Sequence, residues 1–329
     1  MAAKSPINAT SKKIGLLLNP MSGQVRKRER AIRNALKQIP DAILCEATDA
    51  TGFITATDTL IQAKIGLLVI VAGDGTSHAV LSYLFTTLPV TRWPVLMIIP
   101  GGTTNMTPLD LGMRGKPEKI LQRLAQYLQH ADGCNTVKQV QRSALCIEQN
   151  GRQTIYGMFF AAGLVARGVK FSRSSVKQIG ITGGIFTFLI MLRSLIGLIF
   201  SHQNKQWAPV TMSILKENGE SFQGTYLFTL VSALDCLLLN MRPFWGHEPA
   251  PLHITWVDQQ HKHLWRSLWP LLKGKAERLK AQDGYHSHNS HKLTIQMNDE
   301  YIVDGELYHS PGGAPLRITA TAPVTFLVL

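Results

Sequence analysis

No two cysteines in this sequence are spaced C-x-x-C: Cys45, Cys134, Cys146 and Cys236 stand far apart. That suggests neither a zinc site nor a disulfide framework, and reduced, mostly buried thiols are expected. Acidic side chains are scarce, 21 against 34 Lys and Arg, for a formal charge of +13. Such an excess asks for a polyanionic partner, whether nucleotide, nucleic acid or anionic lipid surface. No nucleic-acid recognition motif accompanies the charge, so no nucleic-acid partner is expected. Residues 1–6 are polar and lack the apolar core of a secretion signal, which points to a cytoplasmic protein. An unbroken apolar run of roughly 20 residues, the length of a membrane span, is missing as well. The nearest approach, residues 181–200, has Arg193 and Ser194 near its middle and is weakened by Gly183, Gly184 and Gly197. It reads as a buried core helix, a substrate groove or an interfacial element rather than a span.

Hydrophobic periodicity divides the chain in two. The first third alternates short apolar runs (Ile14 to Leu18, Ile43-Leu44, Gly66 to Ala72, Val95 to Ile99) with helix-period segments near 26–38, 52–63 and 76–84. The first of these helices should bury Ala31, Ile32, Ala35, Leu36 and Ile39. Apolar runs of this kind, alternating with amphipathic helices, indicate a parallel sheet covered on both faces. After about Tyr127 short alternating runs separated by turns such as Asn150-Gly151 and Asn218-Gly219 indicate an antiparallel, β-rich domain. The expected domains are therefore 1–130, a three-layer α/β domain, and 131–329, an antiparallel β-domain whose last few residues return to the first.

Ligands of open parallel sheets bind beyond the carboxyl ends of the strands. Three polar loops fall at such ends: Asn19-Pro20-Met21-Ser22-Gly23, then Gly73-Asp74-Gly75-Thr76-Ser77-His78, then Pro100-Gly101-Gly102-Thr103-Thr104-Asn105. Glycines let the backbone turn tightly and approach a ligand, and the helix start after Gly75 offers N–H groups to phosphate. Asp74, the only acid in its loop, could hold Mg²⁺ directly or through water. The familiar G-x-x-x-x-G-K-[ST] loop is not there, and His78 stands where a G-x-G-x-x-G motif needs its third glycine.

In order and spacing the three loops, with Asp304-Gly305-Glu306 near the C-terminus, resemble the diacylglycerol kinase and sphingosine kinase family, in particular its soluble bacterial lipid kinases. The resemblance covers nearly the whole chain. It implies an N-terminal nucleotide-binding α/β domain, a C-terminal β-sandwich and an active site in the cleft between them. It further implies ATP and Mg²⁺ as cofactors and a lipid as acceptor. Asn19 to Gly23, Thr48, the Ala72 to His78 loop and the Gly102 to Asn105 loop would line the nucleotide site. Glu306 would accept the proton, with Asp304 and Asp74 assisting. The chain departs from the pattern at Ala72, where the family often has glycine, and at Asn105-Met106, where it often has Asn-Asp. It departs again at 246–252, where many bacterial members carry an Asp-rich turn for a structural Mg²⁺; an altered or absent metal site is expected there.

The Asp304-Gly305-Glu306 triplet puts two carboxylates two residues apart, which on a regular strand share a face. The histidines of His286-Ser287-His288-Asn289-Ser290-His291, without nearby Cys or carboxylate in the sequence, read as a solvated loop. Arg26-Lys27-Arg28-Glu29-Arg30 reads as a solvated helix face. Residues 262–280 are basic with Trp265 and Trp269 interleaved, which suits a membrane headgroup layer or a packed helix with a wet side. The expected partners are a lipid substrate and, transiently, an anionic membrane surface, with peripheral localisation; homodimerisation is left open. Two other readings share some features, a soluble-metabolite kinase of the NAD-kinase type and a non-catalytic nucleotide- or lipid-binding regulator.

Overall fold

The computed structural model describes residues 13–129, 137–170 and 209–329. The apolar segment 181–200 and Cys134 lie outside the described residues. The chain divides into two units, Met1–Arg142 with Ala322–Leu329, and Ser143–Thr321.

In the first unit β1 (Ile14–Leu18) leads to α1 (Gly23–Leu36), β2 (Ala42–Glu46) to α2 (Ala50–Gln62), and β3 (Leu67–Ala72) to α3 (Asp74–Thr87). Then β4 (Val95–Pro100) leads to α4 (Met106–Asp110) and α5 (Pro117–Gln129), and β5 (Lys138–Arg142) closes the stretch. β1, β3 and β4 are buried along their whole length, which is why they read as unbroken apolar runs. Among the described residues β2 pairs only with β1, so it is an edge strand there, and Leu44 stays 43% exposed. The C-terminal segment Val324–Val328 pairs in parallel with β4 and antiparallel with β5, giving six strands in one sheet. The return of the chain end carries β5 into this unit, which sets the boundary at Arg142.

α1 buries Val25, Ile32, Ala35 and Leu36, and Ile39 follows it into the core, but Ala31 is exposed, against expectation. The helix is irregular at Arg28, with φ −129° and ψ 19°. The buried residues nevertheless keep regular helical spacing, and Ala31, about 100° round the helix from Ile32, falls at the edge of their stripe. Arg28 reaches Glu118 of α5 at 2.9 Å, joining the two helices.

The second unit is an antiparallel, eleven-stranded sheet. Its strands run β6 (Leu145–Glu148), β7 (Ile155–Gly157), β8 (Phe159–Gly163), β9 (Val210–Lys216), β10 (Ser221–Ser232), β11 (Leu252–Asp258) and β12 (Tyr285–Ser290). They continue with β13 (Lys292–Met297), β14 (Glu300–Val303), β15 (Glu306–His309) and β16 (Leu316–Ala320). The long β10 branches: its first half pairs with β9 and its second half with both β8 and β11. One helix, α6 (Leu264–Lys273), connects β11 to β12. Among the described residues no helix is long and apolar enough to cross a membrane.

Candidate functional site

The strand order β2-β1-β3-β4 places the chain's change of direction between β1 and β3, where the crevice of an open α/β sheet lies. The loops leaving those two strands are tied together there. Buried Asn19 donates from Nδ2 to the hydroxyl of buried Thr76 at 2.9 Å, and its Oδ1 accepts the Met21 N–H at 2.9 Å. Ser22, the N-cap of α1, accepts the Gly73 N–H on its hydroxyl at 3.1 Å. The third loop joins through the backbone, with the Gln24 N–H donating to the Gly101 carbonyl at 2.8 Å. Three loops separated by dozens of residues therefore form one cluster.

Two glycines shape that cluster, one by close approach and one by leaving space. A Cβ on Gly102 would stand 2.6 Å from the Gly73 Cα, so the second and third loops touch backbone to backbone. At Gly75 a Cβ would meet nothing within 4 Å, so the backbone over the start of α3 is open to a ligand. Asn105 holds the third loop from within: its Oδ1 accepts the Gly102 N–H at 2.7 Å and its Nδ2 donates to the Gly102 carbonyl at 2.9 Å. Its left-handed backbone, φ 51°, suits asparagine better than most residues.

Asp74 stands in the first turn of α3, where a negative charge complements the helix N-terminus. Its Oδ2 accepts the N–H of Met106, the first residue of α4, at 3.1 Å. A single carboxylate thus links two helix starts. Thr103 is exposed, its Oγ1 3.5 Å from where a Gly23 Cβ would be, whereas Ser77 is buried and Thr104 and His78 are half-buried. Pro20 is half-buried and Met21 is 60% exposed. Ala72 is a buried strand end, and Thr48 is exposed in the loop after β2.

In the second unit Asp304 and Gly305 are not strand residues. They form the two-residue turn between β14 and β15, both with positive φ (47° and 89°), the hairpin geometry that Asp-Gly favours. The expectation that the two carboxylates share a strand face is therefore corrected. The Asp304 carboxylate turns inward and accepts the N–H groups of Met158, at 3.0 Å, and Phe159, at 2.9 Å. Glu306 opens β15 and is exposed. Sequence reading missed Tyr308, two residues along the same strand and so on the same face. Burial, followed by the charges of Glu306 and Asp304, pushes its phenol above the ordinary range.

The histidines 286–291 are mostly in β12, not in a solvated loop. His286 stacks on Trp256 at 5.1 Å and meets Asp258 at 3.1 Å, and His288 meets Glu248 at 2.8 Å. Their carboxylates come from β11 and from the 246–252 turn, too distant in sequence for a local reading to find. Lys216, its side chain 6% exposed, lies 2.8 Å from Glu220 and 3.2 Å from Glu248. The 246–252 turn is thus held by a lysine, a histidine and the Asn289 N–H. Among the described residues no group of three or more His, Cys, Asp or Glu could hold a metal ion.

Burial raises the Glu248 carboxyl, but the Asn289 N–H, its own N–H, His288 and Lys216 together hold it at about 2. Its folded value is below the usual carboxylate value of about 4.3, so its stabilisation is present above that pH and lost as pH falls toward 2. Glu248→Gln is expected to lower Tm by a few degrees at pH 7 and to flatten the decline between about pH 5 and 2. Calorimetry across that range checks both effects.

The first unit, with three glycine-bearing loops gathered at the carboxyl ends of a parallel sheet, has the build of a phosphate-binding α/β domain. Residues 13–135 match the family model of the diacylglycerol kinase catalytic domain. Two provisionally named diacylglycerol kinases from Bacillus anthracis str. Sterne each align at TM-score 0.67 and 16% identity. The alignments cover 95% of this chain and 95% of the first, and 97% of this chain and 98% of the second. A further diacylglycerol kinase structure from that strain aligns at TM-score 0.62 and 14% identity, over 96% of this chain and 97% of its own. These structures share the two-unit fold. No curated protein matches the chain.

Proposed function

We propose that this protein is an ATP-dependent lipid kinase that moves the γ-phosphoryl group of ATP to a lipid hydroxyl, at an anionic membrane surface. The observation that carries the reading is the tying of three loops at the β1/β3 switch, with α3 beginning in their midst. Phosphoryl transfer depends mainly on positioning and charge neutralisation, which backbone N–H groups at helix starts and glycine-lined approaches can supply. The chemistry Mg²⁺ would supply at this site is neutralisation of the charge on the transferred phosphoryl group. Asp74 is the one acid of the cluster and would help to hold the ion. Glu306, exposed at the start of β15, would accept the proton of the lipid hydroxyl. Asp304 would act as a positioning residue, fixing the hairpin from which Glu306 projects.

Radiolabelled ATP given to the purified protein with a total lipid extract tests the proposal. The expected outcome is label in a chloroform-soluble product, only with Mg²⁺ present. Label confined to NAD or another water-soluble acceptor would favour a metabolite kinase. Nucleotide binding without transfer to any acceptor would make the protein a regulator.

A further inference from the structure

The helix α6 has two unlike faces. Leu264, Ser267 and Leu271 are buried, and the two leucines pack with Val257, Leu279 and Tyr285. Leu227, Phe228 and Trp245 support that cluster from the side. The other face presents Trp265, 46% exposed, and Trp269, 63% exposed, one turn apart. Tryptophan is usually buried over most of its surface, so two exposed rings on one helix turn are costly unless something covers them.

The surroundings indicate what covers them. Between 262 and 280 the chain carries Lys262, Arg266, Lys273, Lys275, Arg278 and Lys280 against the single acid Glu277. All of these cations except half-buried Lys273 are exposed, and the Lys273 ammonium lies 5.4 Å from the Trp269 ring centroid. Aromatic rings flanked by basic side chains, over an apolar anchor, match the layered chemistry of a bilayer surface. The rings fit the headgroup level, the long cationic side chains reach phosphates, and α6 lies flat. A protein partner offers no comparable reason for so one-sided a charge.

We infer that α6 is the docking surface for an anionic phospholipid bilayer, with Trp265 and Trp269 entering the headgroup layer and the surrounding cations reading its charge. The inference rests on the lipid-kinase reading for its purpose, and on α6 alone for its geometry. Phe228 of β10 packs under α6 and also against a second apolar cluster with Ala166, Ile302 and Leu307. That second cluster contains residues of both strands of the hairpin carrying Glu306, so α6 and the hairpin rest on connected parts of one core. Docking through α6 would therefore present this region of the second unit to the membrane.

The test measures vesicle binding of the full chain without nucleotide, so that it does not depend on catalysis. Vesicles of phosphatidylglycerol and phosphatidylcholine should bind the protein and pure phosphatidylcholine should bind it at least about tenfold less, as expected for several basic contacts. The double variant Trp265→Ser with Trp269→Ser should lose about tenfold or more in vesicle affinity while keeping its Tm and its turnover of detergent-dispersed lipid. In the native protein, lipids brominated near the headgroup should quench fluorescence, and the double variant should lose most of that quenching. Unchanged vesicle affinity and unchanged quenching in the double variant would overturn the inference even if lipid is phosphorylated. So would loss of binding only on charge reversal of Arg26, Lys27 and Arg30 in α1. If the double variant instead converts a dimer to a monomer, with vesicle binding intact, the rings face a second copy and the inference also fails. Binding through α6 without phosphorylation of any lipid would refute the kinase reading and leave the docking surface standing.

Discussion

Glu306→Gln is expected to lower kcat by about 10²–10⁴-fold and to leave ATP affinity nearly unchanged, the size expected for loss of a general base. Glutamine keeps the shape and an acceptor oxygen but cannot take up the proton. The position favours this outcome: Glu306 is exposed at the start of β15, directly after a turn whose geometry is fixed from behind by Asp304. Asp304→Asn serves as the companion. Asparagine tolerates the left-handed backbone at that position, yet it puts an N–H₂ group where the Met158 N–H needs an acceptor. Its effect should fall on stability, by about 1.5–3 kcal/mol as expected for hydrogen bonds to a charged group, with a smaller loss of rate. Single-turnover kinetics with lipid in excess, with denaturant unfolding of both variants, separate the roles. A fully active Glu306→Gln enzyme alongside a folded but inactive Asp304→Asn enzyme would exchange them. Full activity in both would mean that the hairpin is only a turn.

The parallel sheet was legible because burial on both faces leaves a strand little choice but to be apolar throughout, as in β1, β3 and β4. The three loops were legible for a related reason: each lies where an apolar run gives way to a polar, glycine-bearing stretch. What the sequence could not convey was commitment of side chains over long separations. Asn19 to Thr76 and Asp74 to Met106 are bonds across 57 and 32 positions, and only the strand order brings them together. The histidines of β12 misled for the same reason, since the acids that pair with them come from other elements. At Asp304 the strand reading passed over the turn that Asp-Gly favours, and two roles coexist there: the turn residue anchors and its neighbour Glu306 stays exposed. Ala31 was misplaced because it sits at the edge of the buried stripe, where periodicity alone does not decide burial.

Asp74→Asn should abolish turnover, by about 10³-fold or more, with little change in fold. Mg²⁺, if Asp74 helps to hold it beside the transferred phosphoryl group, would supply several kcal/mol of charge stabilisation, and each 1.36 kcal/mol is tenfold in rate. A neutral amide at this position gives up the acid's share of that neutralisation. The same substitution also isolates the structural duty of the residue, because the asparagine oxygen can still accept the Met106 N–H that Asp74 Oδ2 accepts at 3.1 Å. Loss of the charge from the first turn of α3 should cost only about 0.3–1 kcal/mol of stability. Asp74→Ala removes acceptor and charge together, and should be both inactive and less stable than the asparagine variant. The comparison decides between metal chemistry and a mere tie between two helix starts. If Asp74 is only the tie, the asparagine enzyme keeps near-native rate and the alanine enzyme alone fails. If it serves the metal, both are inactive at low Mg²⁺, their thermal stabilities differ, and raising Mg²⁺ restores part of the rate to the asparagine variant.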